Sequence, residues 1–133
     1  MNCRPSLALL CALAATTANA SGTLVWTGAA RNGADGVTGL GRPNDVALSP
    51  DGLFLYAAGT ADDSILRFAR DPGTGALAFE ARVAGAGATP PGDVPGLDLP
   101  KALAVSPDGA HLYVAGGTNE AGTSGVTWFD RDA

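Results

Sequence analysis

The chain is 133 residues long, and its 13 acidic and 8 basic side chains give it a formal net charge of −5. The acidic residues are spread along the chain and no basic patch balances them, which argues against nucleic acid as a partner and against binding to an anionic membrane surface. The two cysteines are Cys3 and Cys11, so the chain beyond them cannot use internal disulfides.

Residues 1–20 are typical of a secretory signal peptide. Arg4 gives a positive start, Leu7–Ala15 forms a short apolar core, and Ala18-Asn19-Ala20 offers small residues for cleavage. An uncleaved membrane anchor is the alternative, but the apolar core is short for a bilayer span. We therefore expect a mature chain that begins at Ser21, is secreted or periplasmic, and has no membrane association after cleavage.

Residues 22–31 begin like a lone outer strand, because Gly22–Trp26 matches Gly75–Phe79 further along the chain. A repeat then follows. The phrase Ser-Pro-Asp-Gly occurs at Ser49–Gly52 and again 57 residues later at Ser106–Gly109, with similar flanking residues. A fixed period of this size is typical of a repeat architecture.

Each repeat predicts short strands separated by turns. An apolar run leads into the Ser-Pro-Asp-Gly turn, and a second run, a polar loop and a third run follow it. In the first repeat a fourth run, Leu77–Val83, alternates apolar and polar residues and predicts a half-buried strand. We expect an all-β fold, a β-propeller of about two four-stranded blades: a blade over residues 40–84 and a partial blade over residues 97–132, within a propeller region over residues 21–133.

Two blades do not close a ring, since closed propellers need roughly four to eight. Two interpretations remain open. The chain is the N-terminal fragment of a longer propeller, or copies of it associate so that the N-terminal strand of one copy completes the last blade of another. The missing blades thus come from the rest of the chain or from homo-oligomerisation.

The repeat resembles the seven-bladed lactonase-like propellers, which include the propeller type of 6-phosphogluconolactonase and the carboxymuconate-cyclase-like proteins. The resemblance rests on Arg42–Gly59, Leu99–Gly116, Ile65–Asp71 and Thr74–Phe79. It implies hydrolysis of a small-molecule sugar lactone at the mouth of the central channel. The matched residues are blade framework, and a shared fold does not establish a shared chemistry.

Arg42-Pro43-Asn44-Asp45 differs from its counterpart, which begins Leu99-Pro100-Lys101. It resembles a segment of the metal-dependent gluconolactonase propellers in which the asparagine is a metal ligand. The resemblance implies Asn44, with Asp45, as ligands of a divalent cation such as Ca²⁺ or Zn²⁺, for which oxygen ligands are suitable. The alternative is that Asn44 and Asp45 form a turn before the strand.

Other candidates lie on loops that we expect to share one rim. Arg42 and Lys101 are candidates for binding substrate, Lys101 as a point charge for a carboxylate or phosphate. Four acidic or amide residues on the loops after the second strands are candidates for metal or acid–base roles: Asp62, Asp63, Asn119 and Glu120. His111 follows a hairpin turn, which places it on the opposite rim and favours a surface or packing role.

The sequence leaves two classes of function. One is an exported lactone hydrolase, whose catalytic residues this sequence does not identify. The other is a non-catalytic extracytoplasmic propeller that binds a ligand or a partner through its rim loops.

Overall fold

The computed structural model of the protein describes residues 22–85, 92, 94–118 and 124–132. The predicted signal peptide lies outside the described residues. Within them the strands are β1 (Pro43–Leu48), β2 (Phe54–Gly59), β3 (Ser64–Arg70), β4 (Leu77–Ala84), β5 (Ala102–Val105), β6 (His111–Gly116) and β7 (Gly125–Asp130), with a 3₁₀ turn at Thr60–Asp62.

The strands form two antiparallel sheets, a first sheet in the order β1-β2-β3-β4 and a second in the order β5-β6-β7. Strands that are consecutive in sequence are neighbours in each sheet, as in a propeller blade. The predicted all-β fold, an incomplete propeller, is confirmed. In the described part of the chain, no helix combines the length and the hydropathy that a bilayer span requires.

The Ser-Pro-Asp-Gly turns join the first two strands of each sheet in the same way. The Gly52 N–H donates to the Ser49 carbonyl, and the Gly109 N–H donates to the Ser106 carbonyl. Both glycines are left-handed, with φ of 73° and 74°, a conformation that glycine adopts without steric cost. The turn chemistry read from the sequence is therefore what closes both hairpins.

The main core lies between the two sheets. Tyr56, Ala58 and Ile65 of the first sheet meet Leu112 and Val114 of the second, and all five are buried. The opposite face of the first sheet carries a second cluster, in which Val37 covers the apolar side chains of β2 and β3. Alternate residues of β2 thus serve the two faces, as the period of a strand requires.

The repeat extends further upstream than the strands alone suggest. Val37-Thr38-Gly39-Leu40 corresponds to Val94-Pro95-Gly96-Leu97, again 57 residues later. Leu40 packs on the outward face of the first sheet, while Leu97 is buried between the sheets. Each Val-x-Gly-Leu segment therefore covers the same face of the blade that follows it.

The predicted alternation along β4 is interrupted by a bulge. Arg67 pairs with Ala81, but the next residue, Phe68, pairs with Phe79, which leaves Glu80 as an extra residue. A bulge exchanges the faces on which later side chains point. Phe79 packs edge-on against Phe68 at 5.8 Å between ring centroids, whereas Ala81 and Val83 lie on the opposite face.

The predicted outer strand at residues 22–31 is not formed in this structure. These residues have no strand assignment, and the side chains of Leu24 and Trp26 are 97% and 79% exposed. An outer strand is held in place by hydrogen bonds to its neighbour in the blade, and the first sheet already has its own outer strand, β4. The match to Gly75–Phe79 therefore identifies a segment with strand-like sequence that lies outside both sheets.

Candidate functional site

The candidate site lies where the chain enters the first strand of each sheet. The loop before β1 contacts the 3₁₀ turn, since the Ala61 N–H donates to the Gly41 carbonyl and the Gly41 N–H donates to Asp62 at 2.6 Å. The same turn contacts the loop before β5, where Thr60 donates its hydroxyl hydrogen to the Pro100 carbonyl at 2.5 Å. The structure thus brings together the loops before β1 and β5 and the loop after β2, and we call this surface the entry rim.

Asn44 and Asp45 join the two entry strands. The Asn44 side-chain amide donates to the main-chain carbonyl of Lys101, its counterpart in the repeat, at 3.3 Å. The Asp45 carboxylate accepts from the N–H of Val46 at 2.9 Å with one oxygen and from the N–H of Leu103 at 2.7 Å with the other. Val46 and Leu103 are themselves repeat counterparts, so one carboxylate satisfies the same N–H in two successive units.

These contacts engage the two candidate metal ligands with backbone groups. Both oxygens of Asp45 already accept hydrogen bonds from backbone donors. Among the described residues there is no group of three or more histidine, cysteine, aspartate or glutamate side chains that could hold a metal ion. A divalent cation needs several oxygen ligands, so we derive no step through a metal, and Asn44 and Asp45 as its ligands stay a prediction from the resemblance.

Asp62 and Asp63 are also engaged by backbone groups. Asp62 accepts the hydrogen bond from Gly41, and Asp63 accepts from the Leu99 N–H at 2.8 Å. Carboxylates that accept backbone hydrogen bonds stabilise loop conformations, and here they connect the 3₁₀ turn to both entry loops. Asn119 and Glu120, the counterparts on the second sheet, lie outside the described residues.

Arg42 and Lys101 are the cations of the entry rim. Both are exposed, and the ion pairs among the described residues, Arg67–Glu80 and His111–Asp130, involve neither of them. Their charges are therefore not neutralised by a carboxylate of the described chain. Arginine can bind an anion through two parallel hydrogen bonds, and lysine acts as a compact point charge.

Arg42 has a left-handed backbone, with φ of 49°, which is unusual for a residue other than glycine. Leu99 is its counterpart, since each of the two residues precedes the proline that both repeats share. Leu99 has a φ of 39°. Because an apolar leucine adopts the same conformation, this geometry belongs to the repeat and is not specific to a site. It sets the path of the chain into the first strand of each sheet.

His111 lies at the other end of its strand from the entry rim. Its Nδ1 is 3.1 Å from the Asp130 carboxylate, and both side chains are exposed. The Lys101 N–H donates to Ala115 near the opposite end of β6, which separates His111 from the rim. Among the described residues its side-chain contacts are with Asp130 and Tyr113, which agrees with the surface role expected from the sequence.

Asp51 and Asp108 belong to the Ser-Pro-Asp-Gly turns. The Ser49 hydroxyl donates to Asp51 at 2.5 Å and lowers the pKa of its carboxyl, with a further lowering by the Leu53 N–H. Ser106 and the Ala110 N–H lower the pKa of Asp108 in the same way. These carboxylates stabilise turns, as predicted, and lie outside the entry rim.

Sequence reasoning missed Thr60 as a contact between the two repeats. Its hydroxyl reaches the Pro100 carbonyl 40 residues away, and nothing in its local sequence indicates a distant partner. The Val-x-Gly-Leu segments were also missed, although a search for the 57-residue period beyond Arg42 finds them. The Thr60 contact can be found only in the tertiary structure, whereas the Val-x-Gly-Leu repeat can be read from the sequence.

Comparison with known proteins agrees with this architecture. Two solved structures, each named a "putative 6-phosphogluconolactonase", are similar to the chain: one from Bacteroides fragilis with 26% identity and a TM-score of 0.53, and one from Bacteroides uniformis with 22% identity and a TM-score of 0.52. Each match covers 68% of this chain, but only 21% and 23% of the respective structures. The chain therefore spans about a quarter or less of their length.

The search of curated proteins finds no match. A family model described as "Lactonase, 7-bladed beta-propeller" matches residues 12–133, so the match begins within the predicted signal peptide and continues through both sheets. The chain belongs to the lactonase family of seven-bladed β-propellers.

Proposed function

We propose that this chain is part of an exported lactonase-like propeller that binds an anionic sugar lactone at the entry rim and hydrolyses it when the ring is complete. The observation that carries the proposal is the position of Arg42 and Lys101. They stand at the entrances of β1 and β5, are exposed, and have no carboxylate partner among the described residues. Two free cations on neighbouring strands suit a phosphate or carboxylate group.

The similarity to the structure from Bacteroides fragilis supports this ligand class. A 6-phosphogluconolactone carries a phosphate ester, and its open product carries both a phosphate and a carboxylate. The cations of the entry rim would hold those groups, while Asn44 keeps the two entry strands together through its bond to the Lys101 carbonyl. The residues that activate water would come from blades beyond the two described sheets.

A second candidate function is a non-catalytic propeller that binds an anionic ligand through the same rim. The hydrogen bonding of the carboxylates at the entry rim favours this function. Asp45, Asp62 and Asp63 all accept hydrogen bonds from backbone donors. None of them is left as an unengaged carboxylate for general base catalysis. Lactone hydrolysis followed in a pH-stat, on a protein with its complete ring, separates the two: turnover supports the hydrolase, and binding without turnover supports the binding protein.

The ligand class is tested with 6-phosphogluconate as the probe. We expect it to bind the 133-residue chain and to shift the NMR signals of the entry-rim residues. Arg42→Gln and Lys101→Gln should each weaken binding by about tenfold, which is the loss of one charge-assisted hydrogen bond. Arg31→Gln removes an exposed positive charge that lies 11 residues before Arg42 in the chain, and it should leave the affinity unchanged.

If Arg42→Gln and Lys101→Gln keep the affinity of the unmodified chain, the rim cations do not bind the anion. An equal loss in all three, Arg31→Gln included, would indicate a general charge effect and would also contradict the proposal.

Export is tested separately. We expect the mature protein to begin at Ser21, because Ala18-Asn19-Ala20 has the small residues that signal peptidases cleave after. The measurement is N-terminal sequencing or intact mass of the protein recovered from the periplasm or the medium. Recovery of a chain that begins at Met1, or retention of the protein in the cytoplasm, would contradict export.

A further inference from the structure

The segment Leu99–Leu103, which carries Lys101, is held at both ends by side chains of the first sheet and its loops. Asp63 accepts a hydrogen bond from the first N–H of the segment at 2.8 Å, and Asp45 accepts from the last N–H at 2.7 Å. Both hydrogen bonds are partly buried. We call this stretch the Lys101 segment.

Two further side chains hold the middle of the Lys101 segment. Thr60 donates its hydroxyl hydrogen to the Pro100 carbonyl at 2.5 Å, and Asn44 donates its amide hydrogen to the Lys101 carbonyl at 3.3 Å. All four contacts are made to backbone atoms of the segment. They therefore fix the path of the chain without using the Lys101 side chain.

The main chain of Lys101 is engaged through both of its polar groups, while its side chain is not. The N–H donates to the Ala115 carbonyl at 2.8 Å, and the carbonyl accepts from Asn44. The side chain is exposed, and neither ion pair among the described residues involves it. A cation whose backbone is held before a ligand arrives loses less conformational freedom when the ligand binds.

The start of the segment has a strained backbone. Leu99 has a φ of 39°, in the left-handed region that leucine avoids, and the proline that follows restricts its backbone further. Such a conformation persists only where the surrounding contacts enforce it. The hydrogen bonds from Asp63 and Thr60 act at this turn. Their loss should let the turn relax and displace Lys101.

The two donors, Asn44 and Thr60, are not shared by the two repeats. Lys101 stands at the position of Asn44 in the second repeat, and Gly117 stands at the position of Thr60. Side chains that every unit needs should recur with the period, as the Ser-Pro-Asp-Gly turns do. These donors therefore distinguish the contact at Lys101 from the common framework of the units.

We propose that Asn44 and Thr60 are positioning residues for anion binding, which hold the Lys101 segment so that the Lys101 ammonium group is in place before the ligand binds. The inference rests on the proposed function, because it takes Lys101 as a group that binds the phosphate or carboxylate of the ligand. Neither positioning residue contacts the ligand. Both act through the backbone beside Lys101.

The test is a double-mutant cycle on the affinity for 6-phosphogluconate, measured on the protein with its complete ring. Thr60→Val and Asn44→Ala should each weaken binding by about threefold, because a mobile Lys101 must be ordered when the ligand binds. When Lys101→Gln is already present, neither change should weaken binding further, since both act through that charge. Asn44 is exposed and valine keeps the shape of Thr60, so both variants should fold, as circular dichroism would show.

Asn32→Ala and Thr74→Val are the matched controls. Asn32 accepts from the Leu40 N–H at 3.1 Å, and Thr74 accepts from the Ala76 N–H at 3.3 Å. Each side chain thus bonds the backbone of another loop and not the Lys101 segment. We expect neither control to be coupled to Lys101→Gln.

Hydrogen exchange gives a readout that needs no ligand. Thr60→Val and Asn44→Ala should each speed the exchange of the Leu99 and Leu103 amides several-fold, because the segment then opens more often. The amides of β3 should exchange as in the unmodified protein. A general loss of stability would instead speed exchange in both places.

The outcomes separate this inference from the proposed function. If Lys101→Gln weakens binding but Thr60→Val and Asn44→Ala do not, or if their effects persist in full beside Lys101→Gln, the positioning role is wrong and the proposed function stands. Unchanged exchange of the Leu99 and Leu103 amides would also overturn the positioning role. If Lys101→Gln itself leaves the affinity unchanged, the proposed function fails and the positioning role is overturned with it.

Discussion

Asp45 accepts hydrogen bonds from Val46 and Leu103, equivalent residues in successive units, and so acts as a connection between the two entry strands. Its neighbour Asn44 reinforces the connection through Lys101. From sequence alone this dipeptide is as compatible with a metal ligand pair as with a structural turn, because both need the same oxygen atoms. Only the distances to backbone donors distinguish the two interpretations.

Asp51 and Asp108 make the stability of the hairpins sensitive to acid. Hydrogen bonds, first from Ser49 and Ser106, hold the pKa of both carboxyls below the ordinary aspartate value of about 4. A group with a depressed pKa in the folded state contributes stability above its unfolded pKa, and that contribution is lost as the pH falls through the folded pKa. We expect the Tm to fall below about pH 4, measured by circular dichroism.

The double variant Asp51→Asn, Asp108→Asn should have a lower Tm at neutral pH and a shallower fall in acid, since neither side chain then titrates. Asp35→Asn, an exposed loop residue, is the control and should keep the acid dependence of the unmodified chain. An unchanged acid dependence in the double variant would contradict the assignment of this sensitivity to the turns.

At the scale of the elements, Arg131 connects the two sheets. It follows β7, and its Nε donates to the Tyr56 hydroxyl of the first sheet at 2.6 Å, while another nitrogen donates to the Gly109 carbonyl of its own turn. Arg131 and Tyr56 should therefore be coupled energetically across the seam, the contact between the two sheets. Tyr56→Phe and Arg131→Met each remove one half of a charge-assisted hydrogen bond, for which the loss is about 1.5–3 kcal/mol. In a double-mutant cycle measured by urea unfolding, the coupling should be about 1 kcal/mol or more.

Arg70→Met is the matched control for that cycle, because Arg70 makes the same contact to its own turn but none to Tyr56. Its coupling to Tyr56→Phe should be near zero. Equal coupling of both arginines to Tyr56 would mean that the hydrogen bond across the seam is not the cause.

The elements were predicted well where the determining interactions are local. The Ser-Pro-Asp-Gly turns set both hairpins, short apolar runs identified the strands beside them, and alternation identified β4. Alternation failed at Glu80, because a bulge depends on the pairing partner and not on the strand itself. The match of Gly22–Trp26 to Gly75–Phe79 did not yield a strand at residues 22–31, because a strand-like sequence forms a strand only beside a neighbour.

The candidate site residues stay a prediction, but three of the loops that carry them do meet. The loops before β1 and β5 and the loop after β2 come together at the entry rim, since the repeat fixes where each first strand begins. The roles of Asp45, Asp62 and Asp63 depend on backbone donors up to 58 residues away. A local sequence pattern does not predict such distant donors. Arg42 and Lys101 stay candidates because both are exposed and neither forms an ion pair among the described residues.

On the scale of the whole molecule, the described chain contains one contact between sheets. The core between the sheets accounts for most of the buried apolar side chains of the described residues. On the outward face of the first sheet, Val37 and Leu40 cover only part of the apolar surface, and Val46 and Leu48 are 58% and 52% exposed. The repeat predicts that a further unit of the propeller packs there.

The carboxylate of Asp45 has no counterpart at position 102, which is alanine. A unit that follows the second sheet would thus lack the acceptor that the Leu103 N–H finds in Asp45. Where a further unit packs on the second sheet, its contact would lack this hydrogen bond, and we expect thermal opening to begin there while the contact between the two described sheets persists.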